Sequence, residues 1–339
     1  MEDILFVTQR RNDAIGRFDA RIRKELSKRK HGFDFVTLKE KGDNNLLIFI
    51  HYIRNFIILL ISSRGYKTIY FSRENPYLIG LKILFPSKYV VMNVHHVETY
   101  RGDSFIGRLL IKCTDHFFAI SEFTKHQLEE IWAEAKDITV NYNWIDEAYY
   151  PEQIQEFQRY PYILYVWTEI PRKNLITVFS VFKKISQNHP DVRLVKIWAA
   201  GGQDHQRHTD DLLVKFAIYD KVIMMRDFIS FDDLRKWYSN AVCCVSLSTL
   251  EGWGLTIPEA MACWCPIVAS NIWPFREILG DDSSLIAPTD VEAAVWKIEL
   301  FLSSPSAREF AKVHGLQRVK QFTLEVCIEK ILAMKSIVK

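Results

Sequence analysis

The chain lacks the patterns that would mark a metal protein, a phosphate-loop enzyme or a nucleic-acid binder. Its six cysteines form no CxxC pair and most lie in apolar runs. This argues against a zinc site and a disulfide framework and favours a reducing, cytoplasmic compartment. Lys and Arg exceed Asp and Glu by only three, 44 against 41, too even a balance to predict a nucleic-acid partner. Neither GxxxxGK[ST] nor GxSxG occurs, which weakens the ATPase and hydrolase interpretations.

The chain also lacks an uncharged apolar run of membrane-spanning length. Its most apolar segment, Leu46–Ile61, contains His51, Arg54 and Asn55, which fall together at helical spacing. A charge at mid-span argues against a transmembrane helix, so the segment is predicted to be a mostly buried helix. A helix that lies on a membrane stays open as the alternative, and with it a peripheral membrane contact.

What the 339 residues do contain is an alternation of strand-like and helix-like runs that restarts halfway. The length predicts two domains. Strands separated by helices indicate parallel sheets covered on both faces, so we expect an α/β fold of two doubly wound, Rossmann-like units that face each other across a cleft. The predicted strands are Asp3–Thr8, Phe33–Leu38, Thr68–Phe71, Tyr89–His95, His116–Ile120, Tyr162–Trp167, Val192–Ala200, Val222–Met225, Ala241–Leu247 and Ile267–Ser270.

A polar stretch without a clear period, residues 147–161, is predicted to link the two domains. The domains are therefore predicted as 1–155 and 156–320, followed by a C-terminal helix over 321–339. Ligands of such sheets bind outside the carboxyl ends of the strands. We therefore expect a donor on one side of the cleft and an acceptor on the other.

The segment Ser248–Ala262 has the pattern strand, glycine turn, helix. Such a turn points backbone N–H groups at an anion and predicts a phosphate-bearing ligand. Glu251 stands in the loop with no helix to cap, which favours a role in a binding site. Thr256 and Glu259 have the spacing of a capping box, so for Glu259 a helix-capping role and a ligand role stay equally open.

Two adjacent cations, Arg172 and Lys173, follow the predicted strand Tyr162–Trp167. The forked donors of Arg and the point charge of Lys suit a diphosphate, and a solvated loop is the alternative. No Asp-x-Asp pair occurs, although many sugar-nucleotide enzymes chelate a divalent ion through one. Backbone amides and these two cations are therefore expected to neutralise the diphosphate without a metal.

Two residues of the first half are weaker candidates. His95 ends an apolar strand, where it would take a proton from a hydroxyl or hydrogen-bond a sugar, and a purely structural role is equally open. Gly16 opens the first helix, where a glycine allows either close approach to a ligand or a tight turn.

These motifs resemble those of the retaining glycosyltransferases of family four, which have the GT-B architecture. Glu251–Leu255 and Glu259–Cys263 resemble the E-G-F-G-L and E-A-M-A parts of the family's E-x7-E motif. Pro171–Leu175 resembles its P-R-K-N-L loop. In the first half, Ala14–Phe18 resembles G-I-G-R-Y and Ser121–Lys125 matches S-E-F-T-K. The last helix resembles the one that crosses back to the first domain.

The resemblance implies a metal-independent hexosyltransferase without a cofactor. Its donor would be a nucleoside-diphosphate sugar, with GDP-mannose mildly preferred over UDP-sugars, and its acceptor a glycan or a lipid-linked sugar. The second domain would bind the donor. Lys173, with Arg172, would hold the diphosphate, and the amides of Gly254, Leu255 and Thr256 would reach the phosphates.

The resemblance also implies roles for the remaining candidates. Glu259 would hydrogen-bond the ribose hydroxyls, and Glu251 would contact the transferred sugar and orient it rather than attack it. His95 and the Gly16 loop would face the acceptor and the sugar.

The chain departs from the family at several positions. Trp167 and Thr168 stand where the family often has Gly-Arg, Trp264 replaces a glycine, and Asp13-Ala14 replaces a glycine-containing pair. Two other interpretations therefore stay open: a sugar-nucleotide epimerase of GT-B-like fold, and a non-catalytic sugar-nucleotide-binding subunit.

Overall fold

A computed structural model gives the structure of the chain and divides it into two compact units. Unit 1 comprises residues 1–142 and 324–339, and unit 2 comprises residues 143–323. The sequence places the corresponding domain ends at residues 155 and 320. The structure describes residues 4–9, 14–28, 32–38, 45–95, 97, 105–131, 137–167, 170–197, 203–227, 229–280 and 284–334. Asp3 and residues 198–200, at the ends of two predicted strands, lie outside these ranges.

Unit 1 is built on a six-stranded parallel sheet with the order β2-β1-β3-β4-β5-β6. Its strands are β1 Ile4–Gln9, β2 Phe33–Leu38, β3 Thr68–Phe71, β4 Tyr89–Val94, β5 His116–Ala119 and β6 Asp137–Val140. Its helices are α1 Ala14–Lys28, α2 Asn45–Ser63, α3 Tyr77–Leu84, α4 Phe105–Lys112, α5 Glu122–Ile131 and α13 Leu324–Ala333. The central strands are buried on both faces, which explains their continuous apolar sequence.

The strand order decides on which face of this sheet each helix lies. The crossover from β1 to β2 runs in one direction, and those from β2 to β3, β3 to β4 and β4 to β5 run in the other. Because parallel crossovers are right-handed, α1 covers one face, and α2, α3 and α4 cover the opposite face. The C-terminal helix α13 packs against α1.

Unit 2 repeats the architecture with a second six-stranded parallel sheet, in the order β12-β11-β10-β7-β8-β9. Its strands are β7 Tyr162–Val166, β8 Arg193–Ile197, β9 Val222–Met225, β10 Cys243–Ser246, β11 Ile267–Ser270 and β12 Leu285–Ile286. Its helices are α6 Leu175–Asn188, α7 Gln203–Phe216, α8 Phe231–Asn240, α9 Thr256–Ala262, α10 Trp273–Leu279, α11 Val291–Ser303 and α12 Pro305–Val319. The α/β class with two doubly wound sheets, predicted from the sequence, is confirmed.

The register of unit 2 brings two of the predicted loops together. β10 pairs with β7 in parallel, with Cys243 opposite Ile163 and Cys244 opposite Leu164. The carboxyl ends of the two strands therefore lie side by side, and the loops that follow them share one edge of the sheet. That edge carries both the Arg172–Lys173 pair and Glu251.

The prediction of a mostly buried helix over Leu46–Ile61 is wrong on one side. The segment is helical, but α2 buries Asn55, Leu59 and Ser63 and exposes an apolar stripe on its outer side. A sheet covers only one side of a helix, so an apolar sequence cannot by itself bury the other side. None of the helices in the described ranges is long and apolar enough to cross a membrane.

The segment predicted as a linker packs onto unit 2. The amides of Glu152 and Ile154 donate to the Ser239 hydroxyl and the Asn240 side chain at the end of α8, both at 3.0 Å. Glu152 also pairs with the buried Arg235 at 2.6 Å. The polar sequence of this segment is therefore explained by its hydrogen bonds to the end of α8.

Candidate active site

The candidate site forms where the loops after β7 and β10 meet. Pro171–Lys173 makes one short 3₁₀ turn, which places the two cations directly above the sheet edge. The Thr249 amide donates to the Arg172 carbonyl at 2.8 Å and ties the two loops together. The cation turn and the loop that carries Glu251 are therefore held in one register by the backbone.

Asn174 fixes the end of the cation turn. It adopts the left-handed conformation, φ 56° and ψ 44°, which Asn tolerates better than most residues. Its side-chain amide donates to the carbonyls of Leu247 at 3.0 Å and Pro288 at 2.8 Å. An asparagine at this point thus links the cation turn, the β10 loop and the loop before α11.

Glu251 accepts from both cations. Its Oε2 receives the guanidinium of Arg172 at 2.7 Å, and its Oε1 receives the ammonium of Lys173. Arg172 also donates to the Leu250 carbonyl at 3.0 Å. Glu251 is 5% exposed and Lys173 is 3% exposed, whereas the Arg172 side chain is 40% exposed. The carboxylate therefore compensates the buried ammonium, and the guanidinium reaches solvent.

Lys173 has an unusual environment. Its ammonium lies 3.1 Å from the centroid of the Trp167 ring, a cation–π contact. The indole N–H of Trp167 in turn donates to the Ser246 hydroxyl at 3.1 Å. Burial lowers the pKa of Lys173 to about 8, although Glu251 raises it. The site therefore contains an amine that is mostly protonated at pH 7 and can lose its proton in mildly alkaline solution.

The glycine turn depends on Gly254. Its φ is +102°, and a Cβ there would lie 2.5 Å from Cε1 of Phe275. No other residue fits without a shift of the ring or the loop. Leu255 and Thr256 follow it into α9, so the three amides predicted to reach phosphate lie consecutively in this turn.

The predicted capping box is wrong. α9 begins at Thr256, and its N-cap is Leu255, whose side chain caps nothing. Thr256 is thus the first residue inside the helix and not the N-cap residue whose side chain would accept from the N3 amide. Glu259 is half-buried, and the Tyr238 hydroxyl donates to its Oε2 at 3.4 Å. The ligand role predicted for Glu259 stays a prediction, beside this contact with Tyr238.

Two hydroxyls beside the turn were missed by sequence analysis. Ser248 and Thr256 are buried, and neither side-chain oxygen has a hydrogen-bond partner within the ranges that the structure describes. Buried hydroxyls normally find a partner. Serine and threonine are too common in loops for sequence alone to single these two out.

His95 and Gly16 belong to unit 1. Gly16 lies in the first turn of α1, after β1. The backbone N–H of His95 donates to Glu74 at 3.0 Å, and its Nε2 lies 3.2 Å from the Ser72 carbonyl. The Ser72 hydroxyl donates to Asp19 of α1 at 2.8 Å. Sequence analysis missed Asp19, Ser72 and Glu74, which form a polar cluster with His95 beyond β3 and β4.

The departures from the family pattern have structural counterparts in unit 2. Trp264 follows α9 in the left-handed region, φ 61°, where a glycine would be unstrained. The family's glycine at this position is thus explained, and the indole carries a conformational cost of about 1 kcal/mol. Thr168 and Asp13 lie outside the described residues, and so does the side chain of Ala14.

The chain matches the model of a known protein family. The family model described as "Glycosyl transferases group 1" matches residues 146–315, half of the chain. The match covers both the cation turn and the glycine turn. The chain belongs to the group 1 glycosyl transferases.

Curated relatives of this glycosyltransferase include mannosyltransferases. The O-antigen chain mannosyltransferase B of Escherichia coli is 32% identical over 169 residues, 49% of this chain and 43% of that protein. The O-antigen chain mannosyltransferase RfbU of Salmonella typhimurium is 26% identical over 240 residues, 63% of this chain and 65% of that protein. The chain thus spans less than two thirds of the length of either relative.

Solved structures share the fold at low identity. Sucrose-phosphate synthase from Thermosynechococcus elongatus has a TM-score of 0.80 at 16% identity, covering 100% of this chain and 99% of that one. Anabaena Alr3699/HepE in complex with UDP-glucose has a TM-score of 0.79 at 16% identity, covering 99% of this chain and 100% of that one. These similarities confirm the GT-B fold predicted for this glycosyltransferase.

Proposed function

We propose that this glycosyltransferase moves a hexose from a nucleoside-diphosphate sugar to a hydroxyl of a glycan or lipid-linked acceptor, with retention of configuration and without a metal. The observation that carries the proposal is the junction of Arg172, Lys173 and Glu251 beside the Gly254 turn. Two cations and a run of backbone amides on one sheet edge suit a diphosphate. A carboxylate at the same point suits the hydroxyls of the attached sugar.

The residues proposed to bind the donor have two roles, one for the cations and one for the backbone amides. Lys173 and Arg172 neutralise the charge that develops on the leaving diphosphate, and the amides of Gly254, Leu255 and Thr256 donate to its oxygens. Donors fixed before the reaction lower its barrier, each by roughly 3 kcal/mol. Because the cations are held by protein groups before the donor arrives, little reorganisation is needed.

Glu251 serves as an orienting group in this proposal. Both of its oxygens accept from cations, Arg172 at 2.7 Å and Lys173 on the other oxygen. A carboxylate engaged in this way has little electron density left for attack on an anomeric carbon. Retention then arises when the leaving phosphate oxygen takes the acceptor proton on the face from which it departs.

On the acceptor side, His95 and the first turn of α1 at Gly16 are proposed to face the acceptor and the sugar. The His95 ring is held by the Ser72 carbonyl and the Asn93 side chain, which both lie close to its Nε2, and its backbone N–H donates to Glu74. A ring held in this way suits a group that must keep one orientation. Glu259 is proposed to bind the ribose hydroxyls. Mannosyltransferase relatives favour GDP-mannose as the donor, and a neighbour solved with UDP-glucose keeps a UDP-sugar in second place.

A thermal-shift panel of GDP, UDP and their sugars identifies the donor. A ligand at 100 times its Kd stabilises the protein by about 2.7 kcal/mol, so the preferred nucleotide should stand out. Release of nucleoside diphosphate that requires an acceptor confirms transfer, whereas an altered sugar made from donor alone indicates an epimerase.

The role of Glu251 is tested by Glu251→Gln, with the exposed Glu292→Gln as the matched control. We expect transfer to slow at least ten-fold for the first variant and to stay unchanged for the second. Transfer by Glu251→Gln at the wild-type rate contradicts the assigned role. If no nucleotide sugar shifts the melting temperature of the wild-type chain, the proposed function itself fails.

A further inference from the structure

Three helices of unit 1 form a continuous layer on one face of its sheet. The Phe56 ring of α2 stacks near Tyr77 of α3, 6.3 Å between centroids. A Cβ at Gly80 of α3 would lie 2.6 Å from that Phe56 ring, so the two helices approach closely. α3 packs in turn against α4. The outer sides of these helices therefore make up one surface, here called the α2–α4 surface.

The α2–α4 surface exposes large aliphatic side chains. On α2 they are Ile50, Ile53, Ile57 and Ile61, which are 47–60% exposed. Their spacing of three, four and four residues puts them in one stripe along a helix about 28 Å long. The neighbouring helices add Ile83, Leu84, Phe105 and Ile106. Single exposed apolar residues are ordinary, but the four isoleucines on α2 form one contiguous stripe, and such a stripe marks an interaction surface.

The helices that form the α2–α4 surface carry charges of one sign. The sequences of α2, α3 and α4 contain no Asp or Glu. They contain four cations: Arg54, Lys82, Arg108 and Lys112. Lys82 pairs with Asp115 at 2.6 Å, just beyond α4. The side chains of Arg54, Arg108 and Lys112 are exposed. An aliphatic surface bordered by cations is complementary to a surface that is apolar inside and anionic outside.

We propose that the α2–α4 surface docks unit 1 on an anionic lipid bilayer. The isoleucine stripe enters the boundary between headgroups and acyl chains, and Arg54, Arg108 and Lys112 meet lipid phosphates. A second copy of the chain is a poorer occupant, because a twofold contact would bring the same cations together with no carboxylate on these helices to separate them. The core of a protein interface is enriched in aromatic residues and Met, whereas this stripe is aliphatic.

Vesicle co-sedimentation of the full chain tests the proposal. We expect binding to vesicles of phosphatidylglycerol and phosphatidylethanolamine, and at least ten-fold weaker binding to pure phosphatidylcholine. Raising NaCl from 0.1 to 0.5 M should weaken the binding to anionic vesicles, because screening shortens the reach of the cations. Failure to bind anionic vesicles at 0.1 M NaCl overturns the proposal.

Substitutions locate the contact. Ile57→Ser with Ile61→Ser should lower the partition coefficient at least ten-fold, since about half of each side chain is exposed and would contact lipid. Arg54→Gln with Arg108→Gln should lower it by a similar factor and flatten the salt dependence. The matched control is Val214→Ser with Trp296→Ser, which removes two apolar residues of greater exposure from unit 2 and should bind as wild type does.

Two further measurements complete the test: the nucleotide melting shift and the state of association. All of these variants should keep the melting shift with the donor nucleotide, because Arg172, Lys173 and Glu251 are untouched, so failure of membrane binding and failure of the proposed function are distinguishable. Analytical ultracentrifugation reports self-association. If the isoleucine variants turn a dimer into a monomer, or bind vesicles as wild type does, the bilayer assignment is wrong.

Discussion

The lowered pKa of Lys173 makes donor binding depend on pH in a defined direction. Burial holds this pKa at about 8 in the free protein. If only the ammonium form binds the diphosphate, the competent fraction is about 0.9 at pH 7 and about 0.1 at pH 9. The apparent Kd for the donor nucleotide should therefore rise about ten-fold between these two values.

Isothermal titration with the nucleoside diphosphate, at fixed ionic strength from pH 6.5 to 9.5, measures this directly. The phosphates of the ligand are almost fully ionised above pH 7.5 and its base loses a proton only at the top of the range, so a change between pH 7.5 and pH 9 belongs mainly to the protein. Lys173→Arg is the matched variant. Arg keeps its charge throughout this range, so its curve should be flat above pH 7.5, whatever its absolute affinity.

The outcome that refutes this reasoning is a wild-type Kd that is constant from pH 7.5 to 9.5. Ammonium and amine forms would then bind equally well, and Lys173 would serve the structure around Glu251 rather than the ligand. A flat wild-type curve together with a large loss of stability in Lys173→Met would assign it to that structural role. Removal of one partner from a buried pair costs about 3 kcal/mol when no other cation compensates, and Arg172 reduces that cost here.

Two further substitutions test the packing that supports the site and the sheet. Gly254→Ala should destabilise unit 2 by about 2 kcal/mol in urea unfolding and abolish the nucleotide melting shift, because φ is +102° and the added Cβ meets Phe275. The control is Gly65→Ala, where nothing lies within 4 Å of the added Cβ. This control should change neither the stability nor the melting shift. His116 is buried without a partner for either ring nitrogen in the described part of the chain, and burial lowers its pKa. Between that lowered pKa and 6.5 only the unfolded state binds the proton, so stability should fall as the pH drops below 6.5. His116→Leu should remove this dependence and stabilise by about 1 kcal/mol at pH 7; an unchanged pH profile would contradict the assignment.

The family pattern and the structure agree most closely on the donor side. The match over residues 146–315 contains every residue proposed to bind the nucleotide and its diphosphate, whereas His95 and Gly16 lie outside it. Trp167 stands where the family pattern often has glycine, and its ring covers the Lys173 ammonium. Replacement of Trp167 by Gly would expose that ammonium and should move its pKa upwards, which the pH dependence of donor binding would report.

The sequence by itself determined the residue types of the site and the two parallel sheets, except for their edge strands β6 and β12, which were not predicted. Alternating apolar runs and helical periods are local, so strands such as Thr68–Phe71 and Ile267–Ser270 were predicted with their observed bounds. The short motifs around Arg172 and Glu251 are local as well. A motif states which chemistry is available, because the residue types themselves carry the charges and hydrogen bonds.

Only the tertiary structure decided how these residues meet. The pairing of β7 with β10 brings Lys173 and Glu251 into contact across 78 positions of sequence, and burial of that contact sets the lysine pKa. The same dependence on neighbours explains the errors: spacing suggested a cap at Thr256, and composition suggested a buried α2. Whether a side chain caps, pairs or remains exposed depends on what packs against it, and that is fixed by contacts distant in the chain.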